Sequence, residues 1–247
     1  MKNQYFGDIN DYRKYGLLRA LQSTSHGGLL VAWMLTPDDG GQDGRSRLYL
    51  QQPKRWRGYD AELYDGLVSL LKPGTRPDVL LMESSQLLPN TRYYSALVPH
   101  RREDRAAWGR GLLDAARNIE WVFLDPDNGT EVPSRPIGHK YSSKYVVWQE
   151  VEELFKAGCS LLIYQHFRRE PRHAFARRLV SELGRRTRAP VTHAFRTPQV
   201  LFLLAAQDWH ASHCEQLVSK VSERWKGQIE LEVLANKPLQ PTAFGGS

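Results

Sequence analysis

Ile119-Glu120-Trp121-Val122-Phe123-Leu124-Asp125-Pro126-Asp127-Asn128-Gly129-Thr130-Glu131 is the stretch whose reading decides the fold. Four apolar or aromatic residues, Trp121 to Leu124, stop abruptly at Asp125-Pro126-Asp127-Asn128-Gly129. A short run rich in strand formers and bounded by turn residues reads as a strand buried on both faces. Pro126 and Gly129 then force the chain out of the sheet. Asp125 is left at the carboxyl end of a parallel strand, where open α/β sheets hold their ligands.

Toward the N-terminus, Tyr12, Tyr15, Leu17, Leu18 and Leu21 recur at helical spacing, and Asp8 or Asn10 can cap that helix. Gly27-Gly28 breaks it, and residues 29–35 (L-L-V-A-W-M-L) read as a buried strand. The acidic, glycine-containing loop 36–44 follows; a ligand loop and a plain flexible loop fit it equally well. Residues 45–57 are basic and aromatic (Arg45, Arg47, Tyr49, Lys54, Arg55, Trp56, Arg57). A solvated loop with one anchored Trp is the plainer reading of them, and phosphate contact with base stacking the functional one. An amphipathic helix is predicted over 59–71, a short strand over 79–83 ending in Glu83, and a charged helix over 101–117.

Beyond Gly129, a loop over 130–142 carries Arg135, His139, Lys140 and Tyr141, and a helix is predicted over 144–157. A buried strand over 160–165 leads to Gln165-His166-Phe167, and a basic helix over 171–186 follows. Strands over 191–196 and 199–206, parted by Thr197-Pro198, argue an antiparallel hairpin. A helix over 209–225, a strand over 228–234 and a patternless tail over 236–247 complete the chain. Strands alternating with helices imply a Rossmann-like α/β fold of the methyltransferase type. Its sheet is expected to be mainly parallel, with helices on both faces and an antiparallel hairpin in the C-terminal part. We expect one domain over 1–235, with 45–77 as a helical, basic insert.

The chain of 247 residues is large enough for a substantial core, with 41% hydrophobic and 25% charged residues. Two cysteines cannot make a disulfide framework, no apolar run could span a bilayer, and the first residues lack a signal peptide's apolar core. A cytoplasmic location without a membrane partner is expected. The net charge of +7 fits a nucleic-acid partner, RNA or DNA, and fits solvated arginine-rich helices as well.

Two motifs resemble one known family. Gly7-Asp8-Ile9-Asn10-Asp11-Tyr12-Arg13-Lys14-Tyr15 resembles the G-N-x-x-D-x-x-K-H opening of bacterial large-subunit ribosomal RNA methyltransferases that modify the exocyclic nitrogen of adenine. Phe123-Leu124-Asp125-Pro126-Asp127-Asn128 resembles that family's strand ending in D-P-P-Y. The resemblance covers roughly residues 7–165. It implies that Asp125 and the Pro126 carbonyl hold the target amino group for attack on the methyl of S-adenosylmethionine. Lys14 and Tyr15 would lie near that cofactor, Thr36, Gly40 and Gly41 against its methionine and adenosyl parts, and Glu83 on its ribose hydroxyls. Asn128 stands where the family has an aromatic ring to stack on the flipped base, and Asp127 replaces its second proline. Asp127, His166 and Phe167 are candidate substrate contacts, Phe167 as the substitute stacking ring.

Two other readings fit the same residues. Asp125, Asp127 and Glu131, with Lys140 or Lys144, offer oxygen ligands and a cation for a Mg²⁺-dependent nuclease or phosphoesterase. A catalytically silent nucleic-acid binder on the same fold is the other. His210, His213 and Cys214 share a helical spacing, but no second ligand pair supports a zinc site, so no metal is expected.

Overall fold

The computed structural model describes residues 1–25, 27–41 and 46–236. The elements run α1 (Ile9–Gln22), β1 (Leu29–Ala32), α2 (Pro53–Trp56), α3 (Ala61–Leu70), α4 (Leu80–Glu83), β2 (Thr91–Tyr94), α5 (Arg102–Ala115) and β3 (Trp121–Leu124). They continue with β4 (Gly129–Thr130), β5 (Tyr145–Val146), α6 (Trp148–Lys156), β6 (Ser160–His166), α7 (Arg172–Thr187), β7 (Val191–Arg196), β8 (Val200–Ala206), α8 (Ala211–Arg224) and β9 (Glu230–Asn236).

Seven strands form one sheet in the order β2-β1-β3-β6-β8-β7-β9, while β4 and β5 pair separately. β2, β1, β3 and β6 are mutually parallel. β8 runs against both β6 and β7, and β9 against β7. The fold is therefore a Rossmann-like α/β sheet with an antiparallel C-terminal half. Three of its six pairings are parallel and three antiparallel, so the sheet is more evenly mixed than the sequence suggests. The reversed strand β8 lies between two strands of like direction.

Alternation along the strands divides the core in two. Leu29, Val31 and Trp33 join the side chains of α1, α3 and α8 on one face. Leu30, Ala32 and Met34 join those of α5, α6 and α7 on the other. Every residue of β1 and β3 is buried, which explains their unbroken apolar sequences.

Two predicted elements differ. Residues 80–83 form a helical turn, with the Leu80 amide donating to Asp78 Oδ1 at 2.9 Å, so Glu83 does not end a strand. The strand in that region is Thr91-Arg92-Tyr93-Tyr94, an edge strand whose half-exposed polar residues give no apolar run. The helix predicted from 144 starts at Trp148, because Tyr145-Val146 pairs with Gly129-Thr130 instead. Residues 237–247 of the predicted tail, 42–44 of the 36–44 loop and Arg45 of the basic segment lie outside the described residues. No helix among the described residues is long and apolar enough to cross a membrane.

Candidate functional site

β1 and β3 end side by side, and the chain leaves them at Trp33 and Asp125. The Asp125 amide still donates to Ala32 O at 3.0 Å, so Asp125 is an extension of the sheet. Beyond it the turn is locked from β6. Gln165 Oε1 accepts from the Thr130 amide at 2.8 Å and from its hydroxyl at 3.0 Å, while Gln165 Nε2 donates to Asn128 O at 3.2 Å. The backbone presses so closely on Gln165 that a Cβ on Gly129, at φ +116°, would lie 2.3 Å from the carboxamide. Only glycine fits there.

Asp8 caps α1, accepting from the amides of Asn10 at 2.8 Å and Asp11 at 3.0 Å. One turn apart along the same helix face stand Asp11 and Lys14. Lys14 Nζ reaches Asp11 Oδ1 at 2.6 Å and, from 111 residues away in sequence, Asp125 Oδ2 at 2.7 Å. All three side chains are almost wholly buried. The Met1 ammonium fills the gap between the two strand ends, donating to Met34 O at 3.2 Å and Asp125 O at 3.0 Å. It pairs with Asp127 Oδ1 at 2.7 Å as an ion contact without hydrogen-bond alignment. The other Asp127 oxygen accepts from Thr36 Oγ1 at 2.7 Å. Beside these groups opens a cavity of about 390 Å³, lined among others by Asp8, Asp125, Asn128, Lys144, Tyr164 and His166.

Charge balance here is unusual. Lys14 pairs with both Asp11 and Asp125, and Asp8 stands close enough to feel the charges of Asp11 and Lys14. Burial alone would lower the Lys14 pKa, but the charges of Asp11 and Asp125 overcome it and hold the group above the usual lysine range. The lysine stays charged, and the excess negative charge is felt by the acids. Burial, and then the charge of Asp11, push Asp8 up to about 7. Burial also raises Asp125, against the pull of Lys14 and the Met1 ammonium. Asp127 is buried too, yet that ammonium and the Thr36 hydroxyl draw it below the usual carboxylate value. A group titrating near neutrality inside a cavity at the strand ends marks a functional-site candidate. A divalent cation has little to gain here, since Asp125 and Asp127 each already hold an ammonium. Among the described residues, no three carboxylates, imidazoles or thiols are grouped as a metal site requires.

The candidate residues from the sequence divide into two sets. Lys14, Asp125, Pro126, Asp127, Asn128 and His166 come together around the cavity. Burial, with Tyr164 packed edge-on 5.1 Å away, lowers the His166 pKa, while the residue keeps an exposed edge. The others lie elsewhere. Tyr15 is core, wholly buried against Phe6 and Trp33. Phe167 packs on Phe175 at 6.2 Å and does not line the cavity. Glu83 does reach the rim, from α4, but accepts there from Trp33 Nε1 at 2.8 Å and from Ser95 Oγ. Gly40 borders a separate hollow with Arg47 and Arg76, Gly41 does not line the cavity, and the Thr36 hydroxyl is committed to Asp127.

As folded, this arrangement does not fit S-adenosylmethionine. The groups expected to hold it do not face one space: Gly40 borders a separate hollow, Tyr15 is core, and Thr36 and Glu83 are hydrogen-bonded internally. Asp8, Asp11 and Tyr164, unassigned in the sequence reading, are at the cavity. The i, i+3 spacing of Asp11 and Lys14 puts those two on one helix face, with Asp8 at the N-cap before it, but does not say which strand end that face meets.

One arrangement elsewhere has the residue types of a catalytic triad. Ser160 Oγ lies 2.8 Å from His210 Nδ1, and His210 Nε2 lies 3.1 Å from Glu120. Ser160 is wholly buried at the opposite end of the sheet, and its Oγ accepts from the Gln207 amide at 2.8 Å. His210 stacks on Trp121 at 4.6 Å. The group ties β3, β6 and the segment after β8 together and presents no nucleophile. No protein-family model matches the chain, and no curated protein is significantly similar to it.

Proposed function

We propose that this protein binds nucleic acid and takes one base into the carboxyl-edge cavity. The observation that carries the reading is the 2.7 Å contact between Lys14 and Asp125, which brings the two resembling motifs to one polar cavity. A base edge offers donors and acceptors side by side. Asp8 and Asp125 accept from an exocyclic amine, the Asn128 carboxamide serves either kind of partner, and Lys144 at the mouth suits a phosphate. The cavity's volume is that of a small-ligand site. Calorimetric titration with the four ribonucleoside monophosphates tests the proposal. At least one is expected to bind, and Asn128→Ala to weaken it about tenfold, the loss of one good hydrogen-bonded contact. Absence of binding by all four at millimolar concentration would refute it.

A second reading, methyl transfer to the held base, is favoured by the same convergence and by the reversed strand β8. S-adenosylmethionine would supply the methyl group. Transfer of labelled methyl groups from that cofactor to bulk RNA tests this reading. Incorporation no greater than with Asp125→Asn removes it and leaves base recognition standing.

A further inference from the structure

The sequence places its densest basic and aromatic mixture at 45–57, but the rings there are not free. Tyr49 and Trp56 are buried in the core, and Arg57 is paired with Asp65. Several arginines of α7 are likewise paired: Arg178 with Glu170, Arg185 with Glu182, and Arg186 with Glu152 and Glu182. The segment between β4 and β5 is different. Tyr141 is 44% exposed and sits at φ 70°, in the left-handed region that a bulky side chain avoids. Such an outlier is tolerated where its surroundings over-determine it, and such positions concentrate at ligand sites. The surroundings do hold it. The Ser142 amide donates to His139 O at 3.0 Å, the Lys144 amide to Tyr141 O at 3.1 Å, and the Gly138 amide to His100 O at 3.0 Å.

Three cations surround the ring: Lys140 Nζ at 4.9 Å, Lys144 Nζ at 5.4 Å and the Arg135 guanidinium at 5.9 Å from its centre. None of the three is in an ion pair with a described residue. Lys144 also lines the cavity, and its carbonyl accepts from the Asn128 amide at 2.9 Å. The exposed ring and the cavity mouth therefore share one residue.

We propose that this segment is a docking platform for single-stranded nucleic acid. One base stacks on Tyr141, displacing an ammonium from the ring face toward the neighbouring phosphate. Arg135, Lys140 and Lys144 meet the backbone, and the strand continues over Lys144 to the cavity. Stacking plus cations is how sequence-tolerant single-strand sites are built. The proposal rests on the nucleic-acid reading above but not on what the cavity holds.

The test is fluorescence anisotropy of the full chain with short labelled RNA and DNA single strands, for the wild type, Tyr141→Phe, Tyr141→Ala, Tyr141→Gly and Lys140→Ala. The wild type and Tyr141→Phe are expected to bind alike, and Tyr141→Ala to bind about tenfold more weakly. Lys140→Ala should reduce the log–log salt slope by about 0.7. Tyr141→Gly, which relaxes the left-handed backbone, should lose binding while its Tm holds or rises; a structural ring would lose both together. The RNA and DNA arms distinguish the two sources of the strand, and binding of either supports the platform.

The platform is overturned if the wild type binds neither strand, if Tyr141→Ala binds like the wild type, if Tyr141→Phe falls as far as Tyr141→Ala, or if Tyr141→Gly loses Tm with binding. Mononucleotide calorimetry reports the cavity separately. Strand binding that depends on Tyr141 without mononucleotide binding would leave the platform standing and the cavity reading refuted. The reverse pattern would do the opposite.

Discussion

Asp8→Asn isolates the cavity's excess negative charge. Asn caps a helix as well as Asp does, so the bonds to the Asn10 and Asp11 amides should survive the change. What disappears is the cost of ionising Asp8 beside Asp11. Its carboxyl is raised from 3.8 to about 7. For a raised acid, the stabilising share is fully present below the unfolded pKa and is lost as pH rises through the folded one. The wild type therefore loses stability relative to the variant between about pH 4 and about pH 7, and the gap stays constant above that. At about 1.4 kcal/mol per pKa unit, the ceiling on that gap is about 4 kcal/mol. For a chain of this size the ceiling corresponds to about 10 °C in Tm. Chemical denaturation of both proteins across this pH range measures it. A gap that does not change with pH would refute the reasoning, since Asp8 would then titrate alike in the folded and unfolded states.

Two further substitutions test the parts around the cavity. Gly129→Ala should cost about 3 kcal/mol, from a strained backbone and the displaced Gln165; urea unfolding measures it, and a loss within error would mean that Gln165 does not hold the turn. Tyr15→Phe should be neutral or stabilising by about 1 kcal/mol, because the buried Tyr15 hydroxyl has no partner among the described residues. A clear loss of Tm there would reveal a role for that hydroxyl.

Where a strand is buried on both faces the sequence announces it, so β1, β3, β6 and the β7–β8 hairpin are legible from their apolar runs. β2 is not, because an edge strand made of Thr-Arg-Tyr-Tyr needs no apolar face pattern and the apolar run 79–83 imitates one. Asp125 is legible because a carboxylate following a buried strand has few other places to be. Its partner Lys14 is suggested by the motif resemblance alone, since spacing within one helix says nothing about which strand end the helix covers. The cofactor set fails to assemble for a related reason. Thr36 and Glu83 do reach the rim of the sheet, but hydrogen bonds to Asp127, Trp33 and Ser95 use them internally, and no local pattern encodes such long-range commitments. Phe167 shows the same limit: whether an aromatic residue after a strand faces the cavity depends on its packing against Phe175 of α7, not on its neighbours in sequence.

The most direct test of the central claim is a crystal structure with the nucleoside monophosphate that binds most tightly. We expect the base between Asp125, Asn128 and His166, with its phosphate toward Lys144. A base found on the arginine face of α7, or on the far edge of the sheet near Ser160, would contradict the account.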